Sequence, residues 1–599
     1  MMKGFWSSFF GTIAGLVVAA ALFGLFIVFA IGGLIASAVQ NAEPSRSPLS
    51  AAGAVIIQVD LREPRLDQPS ANPFAFSPAL THTDLLLALE RARNDDRVAG
   101  AFVRANAISM APGRAEEIRA ALRALSEADK SVIVHAQGFE GPAVANYFAV
   151  SGADELWLQD TATFSATGYA TETVFFGEAI ERAGAQAQFL QLYEYKNAAD
   201  PFVSADYTEA HREATLSWLG SLFDTAMAGA AADRGVTEAV LREVIESGPY
   251  SAEQALEAGL VDSLGHLPAA EDAARAATGA ERFVTAADYV RSSPPAAAGP
   301  VIALIGGEGA IETGEGDTGF GGGAAIGSDR LSRAIDSAAR ESSVRAIVLR
   351  IDSPGGSAIA SDQIWDAVVR ARQAGKPVVV SMGSVAASGG YYIAAPADRI
   401  VANASTLTGS IGVVAGKVVI DGALQRLGVN IEPLSVGGEF ATAFSSASPW
   451  SETQRAAYLG LIEDTYQDFT EKVAMGRDLP LARVQALARG RVWTGAQALD
   501  HGLVDRIGGL TDAIEEARAL AGLASDEPAR IRRFPAQPTP LEAFQQLFGV
   551  SAEGAQAAAR LNALLELPEV RAALRERERL GAPGVRLESY EAERGAAGD

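Results

Sequence analysis

An internal duplication constrains the fold of this 599-residue chain more than any other feature of its sequence. The segment 250–262 recurs at 493–505, and both copies contain Gln-Ala-Leu followed by Gly-Leu-Val-Asp. A second match aligns 147–149 with 391–393, so the copies are offset by 243 or 244 positions. The chain is longer than one ordinary domain, and the repeat predicts two homologous domains in tandem.

Each copy alternates short Val/Ile-rich runs with amphipathic stretches, which is typical of an α/β fold with a parallel sheet and crossover helices. Strands are predicted at 55–59, 100–104, 131–135 and 155–158 in the first copy, and at 301–305, 346–351, 377–381 and 399–402 in the second. We expect an N-terminal domain at 50–291, a Pro/Ala-rich linker, and a C-terminal domain at 300–530. Residues 531–599 should form a helical extension and a polar tail.

An uncharged segment precedes the repeat. Residues 5–38 carry no charged side chain, and 13–36 are long and apolar enough to span a bilayer as a helix. Lys3 before the segment and Glu43 after it favour an N-terminus inside and domains outside. A cleaved signal peptide is the alternative, but this apolar run is longer than the apolar region of a signal peptide usually is. We predict a transmembrane anchor at 5–38.

Composition excludes several classes of function. A net charge of −24 without a Lys/Arg cluster argues against nucleic acid as a partner. The absence of Cys excludes disulfides and thiol nucleophiles. No paired-His spacing indicates a metal, and the Gly-rich stretch 306–327 lacks the Lys and Ser/Thr of a phosphate loop, so it is interpreted as a flexible edge or lid. We therefore predict no metal and no cofactor.

Ser388 and Lys196 are the candidate catalytic pair. Ser388 follows an apolar run at the point where a predicted strand gives way to a helix, and the repeat places Val144 at its position in the first copy. The region equivalent to Lys196, at 439–440 in the second copy, contains no Lys. A desolvated Lys can lose its proton and act as a base for a Ser nucleophile, whereas Arg cannot. This complementary loss indicates one active site shared by both copies.

Backbone amides near the predicted strand ends can stabilise an oxyanion. The amide of Gly389 begins the helix after Ser388, and Gly355 and Gly356 directly follow a strand. A Ser-His-Asp triad is not supported, because only His135 of the five histidines lies on a predicted strand. We interpret His135 as a structural residue, with a site role as the alternative.

These motifs resemble the signal peptide peptidase A, or protease IV, family in its long tandem-domain form. The resemblance covers about 54–523 and the anchor. Its marks are the segments 352–357, 381–383 with 386–391, 408–413, and 195–197 leading into 200–202.

The resemblance implies tandem Clp-protease/crotonase-like domains and a Ser/Lys dyad, with Ser388 as nucleophile, Lys196 as general base and Ser410 orienting the lysine. Gly355, Gly356 and Gly389 would form the oxyanion hole. It also implies a homotetrameric serine endopeptidase at the bacterial inner membrane, with its domains on the periplasmic side. Its substrates would be apolar peptides such as signal-peptide remnants. The alternatives are a crotonase-like acyl-thioester enzyme and a catalytically silent membrane scaffold.

Overall fold

The structure is a computed structural model that describes residues 53–69, 80–106, 110–141, 143–292, 299–316, 325–524 and 527–535. All of them belong to one compact unit, residues 46–537. The predicted anchor, the middle of the linker and the C-terminal extension beyond Pro535 lie outside the described residues. None of the described helices is long and apolar enough to cross a membrane.

The first copy is built on a six-stranded parallel sheet in the order β8-β4-β3-β2-β1-β9. Its strands are β1 (Val55–Asp60), β2 (Val98–Ala105), β3 (Ser131–Ala136), β4 (Glu155–Leu158), β5 (Thr163–Phe164), β6 (Gln186–Gln191), β7 (Tyr250–Ser251), β8 (Ser263–Leu264) and β9 (Arg282–Thr285). Its helices are α1 (His82–Arg93), α2 (Pro112–Ser126), α3 (Val144–Val150), α4 (Gly177–Ala183), α5 (Asp200–Val203), α6 (Glu209–Arg234), α7 (Glu238–Glu246), α8 (Ala252–Glu257), α9 (Leu267–Thr278) and α10 (Ala286–Ser292).

The second copy repeats this plan with a larger sheet, whose main path is β18-β16-β14-β13-β10-β20. Its strands are β10 (Val301–Glu308), β11 (Ala310–Glu312), β12 (Ala325–Gly327), β13 (Val344–Ser353), β14 (Val378–Ala387), β15 (Arg399–Ala402), β16 (Leu407–Gly409), β17 (Val414–Val419), β18 (Val492–Thr494), β19 (Arg506–Ile507) and β20 (Arg530–Phe534). Its helices are α11 (Ser328–Arg340), α12 (Ala358–Gln373), α13 (Gly389–Ala394), α14 (Asp421–Gln425), α15 (Glu452–Arg477), α16 (Leu481–Leu487), α17 (Gly495–Asp500) and α18 (Leu510–Leu520).

The α/β prediction and its parallel strands are confirmed. All eight predicted strands form, and β13 and β14 extend to Ser353 and Ala387, beyond their predicted ends at 351 and 381. The described part of the Gly-rich stretch differs from the expected flexible edge, because residues up to 308 complete β10 and residues 310–312 pair with β12. The predicted domain boundaries stay a prediction, although β20 runs past residue 530.

Equivalent contacts recur in both copies. The hydroxyl of Tyr147 donates to the carbonyl of Leu260 at 3.1 Å, and that of Tyr391 donates to Leu503 at 2.8 Å. The helices α8 and α17 both begin with a capping box, in which the N-cap side chain and a Gln three residues later bond each other's backbone amides. The duplication therefore extends from sequence to individual hydrogen bonds.

The two copies share a continuous apolar core. One apolar core contains side chains from the first sheet together with Ile302, Leu304 and Val348 of the second. An antiparallel ribbon also joins the copies, because β6 of the first pairs with β17 of the second. The shared core and this ribbon hold the two copies in direct contact with each other.

A buried ion cluster adds to this contact. Arg350 of the second copy is fully buried and donates to Asp67 and Glu117 of the first at 2.7–3.1 Å. Burial alone would raise the pKa of Glu117, but the charge of Arg350 outweighs burial and holds that pKa below its ordinary value. Removing one member of such a cluster typically costs about 3–5 kcal/mol, because the remaining charge is left buried without a partner.

Candidate active site

Ser388 occupies the junction between β14 and α13 in a strained conformation. Its φ is +54° and its ψ is −118°, and Ser410 has a φ of +48°. Positive φ is uncommon in residues with a side chain and persists where the surroundings enforce it. The amide of Ser388 donates to Gly409 O at 2.8 Å, and that of Ser410 donates to Arg491 O at 2.7 Å. These bonds hold both hydroxyl-bearing residues in place.

Lys196 reaches Ser388 from the first copy of the same chain. It follows β6 and directly precedes a short 3₁₀ helix, Asn197–Ala199, and its residue exposure is 7%. The Lys196 Nζ lies 3.1 Å from Ser388 Oγ, 3.0 Å from Ser410 Oγ and 2.9 Å from Ser410 O. The structure thus brings together the three side chains predicted to form the catalytic group. In the sequence, Ser388 lies 192 positions from Lys196 and Ser410 lies 214 positions from it.

The surroundings of Lys196 favour its neutral form. Burial lowers the pKa of its amine from 10.5 to about 8. Within the described ranges no carboxylate forms an ion pair with Lys196 to reverse this effect. A neutral amine has two N–H groups and one lone pair. The N–H groups can donate to the two oxygens of Ser410, which leaves the lone pair for the hydroxyl proton of Ser388.

A loop of the second copy supports this group and was not identified from the sequence. Gly490 has a φ of +83°, and a Cβ at this position would lie 2.5 Å from Cα of Lys196. Its amide donates to Ile411 O at 2.9 Å, next to Ser410, whose own amide is bound by Arg491. The loop therefore contacts the base on one side and the segment of Ser410 on the other. Its only signal in the sequence is a Gly three positions ahead of the repeated segment 493–505.

The predicted oxyanion glycines lie close to Ser388. A Cβ on Gly355 would lie 2.8 Å from both the amide nitrogen of Gly389 and Cβ of Ser388. A Cβ on Gly389 would lie 3.3 Å from the amide nitrogen of Gly356. A Cβ at Gly355 would crowd Ser388 and the Gly389 amide, and a Cβ at Gly389 would approach the Gly356 amide, which favours glycine at both positions.

The three amides differ in their availability. The amide of Gly355 donates to Ser353 Oγ at 3.1 Å and is already used. Gly356 forms a parallel bridge with Ile311 through its flanking residues, so its own N–H points away from Ile311. Among the described residues, the amides of Gly356 and Gly389 have no hydrogen-bond acceptor. In the described part of the chain, these are the two of the three candidate amides that remain free.

His135, the alternative candidate for a site residue, lies on the sheet of the first copy and does not contact the Ser388/Lys196 group in the described structure. The side chain of His135 is on β3 of the first copy, where its Nε2 lies 3.2 Å from Gly265 O. Burial holds the pKa of His135 below its ordinary value, which fits a neutral structural imidazole. In the described part of the chain no group of three or more His, Asp or Glu side chains is arranged to bind a metal ion.

A strained serine beside a buried amine, at the carboxyl ends of parallel strands, is an arrangement typical of serine hydrolases that use a lysine base. Residues 124–281 and 370–524 match peptidase family S49. Protease 4 of Salmonella typhi is 31% identical over 83% of this chain and 83% of its own length. Protease 4 of Haemophilus influenzae is 30% identical over 74% of this chain and 73% of its own.

A plant relative shows a similar extent of matching. The chloroplastic serine protease SPPA of Arabidopsis thaliana is 28% identical over 75% of this chain and 67% of its own length. Among solved structures, a mutant ClpP1 of Listeria monocytogenes matches 35% of this chain and 94% of its own at 15% identity, with a TM-score of 0.22. The chain belongs to peptidase family S49, whose domain it contains twice, and it is a serine-type peptidase.

Proposed function

We propose that the chain is a membrane-anchored serine endopeptidase with a Ser388/Lys196 dyad, and that it hydrolyses apolar peptides such as signal-peptide remnants. The observation that carries this proposal is the 3.1 Å separation between Lys196 Nζ and Ser388 Oγ. This distance is within hydrogen-bond reach, which general-base catalysis requires. Burial of the amine adds the second requirement, a lysine that is partly neutral near physiological pH.

The reaction follows from this geometry. Neutral Lys196 accepts the Ser388 hydroxyl proton while Oγ attacks the scissile carbonyl and its oxygen becomes an oxyanion. The free amides of Gly356 and Gly389 donate to that oxygen. The Lys196 ammonium then protonates the leaving amine as the C–N bond breaks, which leaves an acyl group on Ser388. Lys196 then deprotonates a water that attacks the ester. The Lys196 ammonium returns this proton to Ser388 Oγ as the ester C–O bond breaks, which releases the peptide acid and restores both side chains.

Residues 5–38 support membrane anchoring, because they are long enough to span a bilayer and carry no charge. An anchor would hold the site near the bilayer surface, where apolar peptides released from the membrane concentrate. The resemblance of this chain to the long tandem form of the family supports an orientation with both copies on the periplasmic side of the inner membrane.

Unpaired segments support a homo-oligomer, which we expect to be a tetramer. The β6–β17 ribbon joins the copies, and the offset of 244 carries these two strands to 430–435 and 170–175, which form no strand. Leu434 is 93% exposed and Val174 is 63% exposed. Pairing 430–435 of one chain with 170–175 of the next would cover these side chains and repeat the ribbon between chains.

The dyad is tested with the full chain purified in detergent. A biotinylated fluorophosphonate should label Ser388, and an apolar signal peptide should be cut at internal bonds. Ser388→Ala should abolish both while leaving oligomer size unchanged by light scattering. Labelling that persists in Ser388→Ala and maps to Ser410 would reassign the nucleophile. Release of the full chain from membranes by alkaline carbonate would refute the anchor.

A further inference from the structure

The strand that carries Ser388 contains a bulge just before the nucleophile. Residues 347–351 of β13 pair in register with 378–382 of β14, but the next pair is Ser353 with Ala386. Three residues, Gly383 to Val385, therefore face only Asp352. A bulge bends its strand and re-aims the side chains that follow, and bulges are frequent next to active sites. Ser388 follows this bulge by three positions.

The carboxylate of Asp352 holds the bulge from within the second copy. Its Oδ1 accepts from the amide of Val385 at 3.0 Å, which satisfies a donor that the irregular pairing leaves free. A Cβ at Gly383 would lie 2.8 Å from Cβ of Asp352, so only glycine leaves room for Asp352 there. Thr406 adds a bond from its hydroxyl to Gly383 O at 2.7 Å. The shape of the bulge depends on where Asp352 lies.

The other oxygen of the Asp352 carboxylate, Oδ2, is bound by a residue of the first copy. Arg114, in the first turn of α2, places Nη2 3.1 Å from Asp352 Oδ2 and 3.0 Å from Glu308 Oε1. The three side chains are between 10% and 21% exposed, so water screens them only partly. The neighbouring Gly113 contacts the bulge itself, because a Cβ there would lie 3.1 Å from Cα of Ser384. The start of α2 thus lies directly against the bulge.

We propose that Arg114 is a positioning residue for the nucleophile: through Asp352 it fixes the bulge that aims Ser388. This inference rests on the proposed role of Ser388. Without the guanidinium, the carboxylates of Glu308 and Asp352 would face each other in a partly buried site with no cation between them. Their repulsion would move Asp352 off the Val385 amide, and the bulge could relax. The copy without a nucleophile would then supply both the base and the alignment of the serine.

The test measures the rate constant for acylation of Ser388 by a fluorophosphonate in the full chain. Arg114→Gln should lower it about ten- to a hundredfold, as expected for a small displacement of a reacting group. The midpoint of its pH profile should not move, because Lys196 is untouched. Arg114→Lys keeps a cation and should recover part of the rate. Asp352→Asn keeps an acceptor for Val385 but loses the ion pair, so it should be slowed as well and serves if Arg114→Gln does not fold.

Arg119 gives a matched control on the same helix. It pairs with Asp233 inside the first copy at 2.5 Å and is 14% exposed, so Arg119→Gln should lower the melting temperature without slowing acylation. Equal acylation rates for Arg114→Gln, Asp352→Asn and wild type would overturn the inference and leave the dyad intact. A shifted pH midpoint would also overturn it, because Arg114 would then act on Lys196. Failure of the wild type to react at Ser388 would instead refute the proposed function.

Discussion

The two copies are alike in their framework and differ where the third strand of each sheet ends. In the first copy β2 and β3 pair without interruption from Gly100 to Ala105. In the second copy the equivalent strands are offset by the bulge, and the chain then enters the strained conformation of Ser388. The first copy has Val144 at that position, as the first residue of the regular helix α3, and the rings of Phe139, Tyr147 and Phe164 contact one another in the same apolar core.

This difference shows that a catalytic serine needs more than a hydroxyl at the right position. Both copies keep the same framework, which includes the equivalent hydrogen bonds of Tyr147 and Tyr391. Only the second copy combines that framework with an irregular strand, an enforced positive φ and two free amides. The first copy contributes its loop with Lys196, so the specialised parts are divided between the copies.

The largest effect is expected from replacing the base. Lys196→Arg should be as inactive as Lys196→Ala, with losses of about a hundredfold or more, because Arg stays protonated. Lys130→Arg is the matched control: among the described residues, Lys130 of the first copy donates to the carbonyls of Asp95 and Val98, and Arg retains that ability. Peptide hydrolysis that survives in Lys196→Arg would break the proposed division of labour.

The wild-type pH profile sharpens the same point. Burial lowers the pKa of Lys196 to about 8, so the neutral fraction, and with it kcat/KM, should rise about tenfold per pH unit below 8 and level off above. The lowered pKa of Lys196 also determines how folding stability changes with pH. The folded chain binds fewer protons than the unfolded chain between about 8 and 10.5, so this group favours folding more as pH rises through that window. A flat profile between pH 6 and 9 would contradict a lysine base.

A smaller loss of activity is expected from changing Gly490, in the loop of the second copy that contacts Lys196. Gly490→Ala would place a Cβ 2.5 Å from Cα of Lys196 at a φ of +83°, so both backbone and base must move. We expect kcat to fall about tenfold or more, with a smaller change in KM. Gly502→Ala is a suitable control, since it also has positive φ, +74°, but meets only a side chain 3.6 Å away. Equal kcat values in both variants would exclude a role for close contact at Gly490.

The sequence allowed the strands, the repeat and the Ser388/Lys196 pairing to be predicted because each leaves a local or periodic signal. Alternation of Val/Ile runs locates β13 and β14, and the repeat makes the loss of Ser in one copy and Lys in the other visible. It could not predict the Arg114–Asp352 contact or the approach of Gly490 to Lys196, because both depend on how two distant segments pack. The hydrogen bond from the Gly355 amide to Ser353 Oγ, which removes this amide from the oxyanion donors, could not be predicted from the sequence either.

The smallest effect concerns the capping boxes of α8 and α17, which differ in their N-cap residue and in their surroundings. Ser251 caps α8 at the surface, whereas Thr494 caps α17, is fully buried and bonds Ser221 of the first copy at 2.7 Å. Ser251→Ala should cost about 1 kcal/mol of local stability, and Thr494→Ala should cost about 2–3 kcal/mol because it also leaves Ser221 unpaired. Hydrogen exchange of α8 and α17 measures both losses. If Ser221→Ala restores none of the loss in Thr494→Ala, contact between the copies adds nothing to this cap, and the difference must come from burial within the second copy alone.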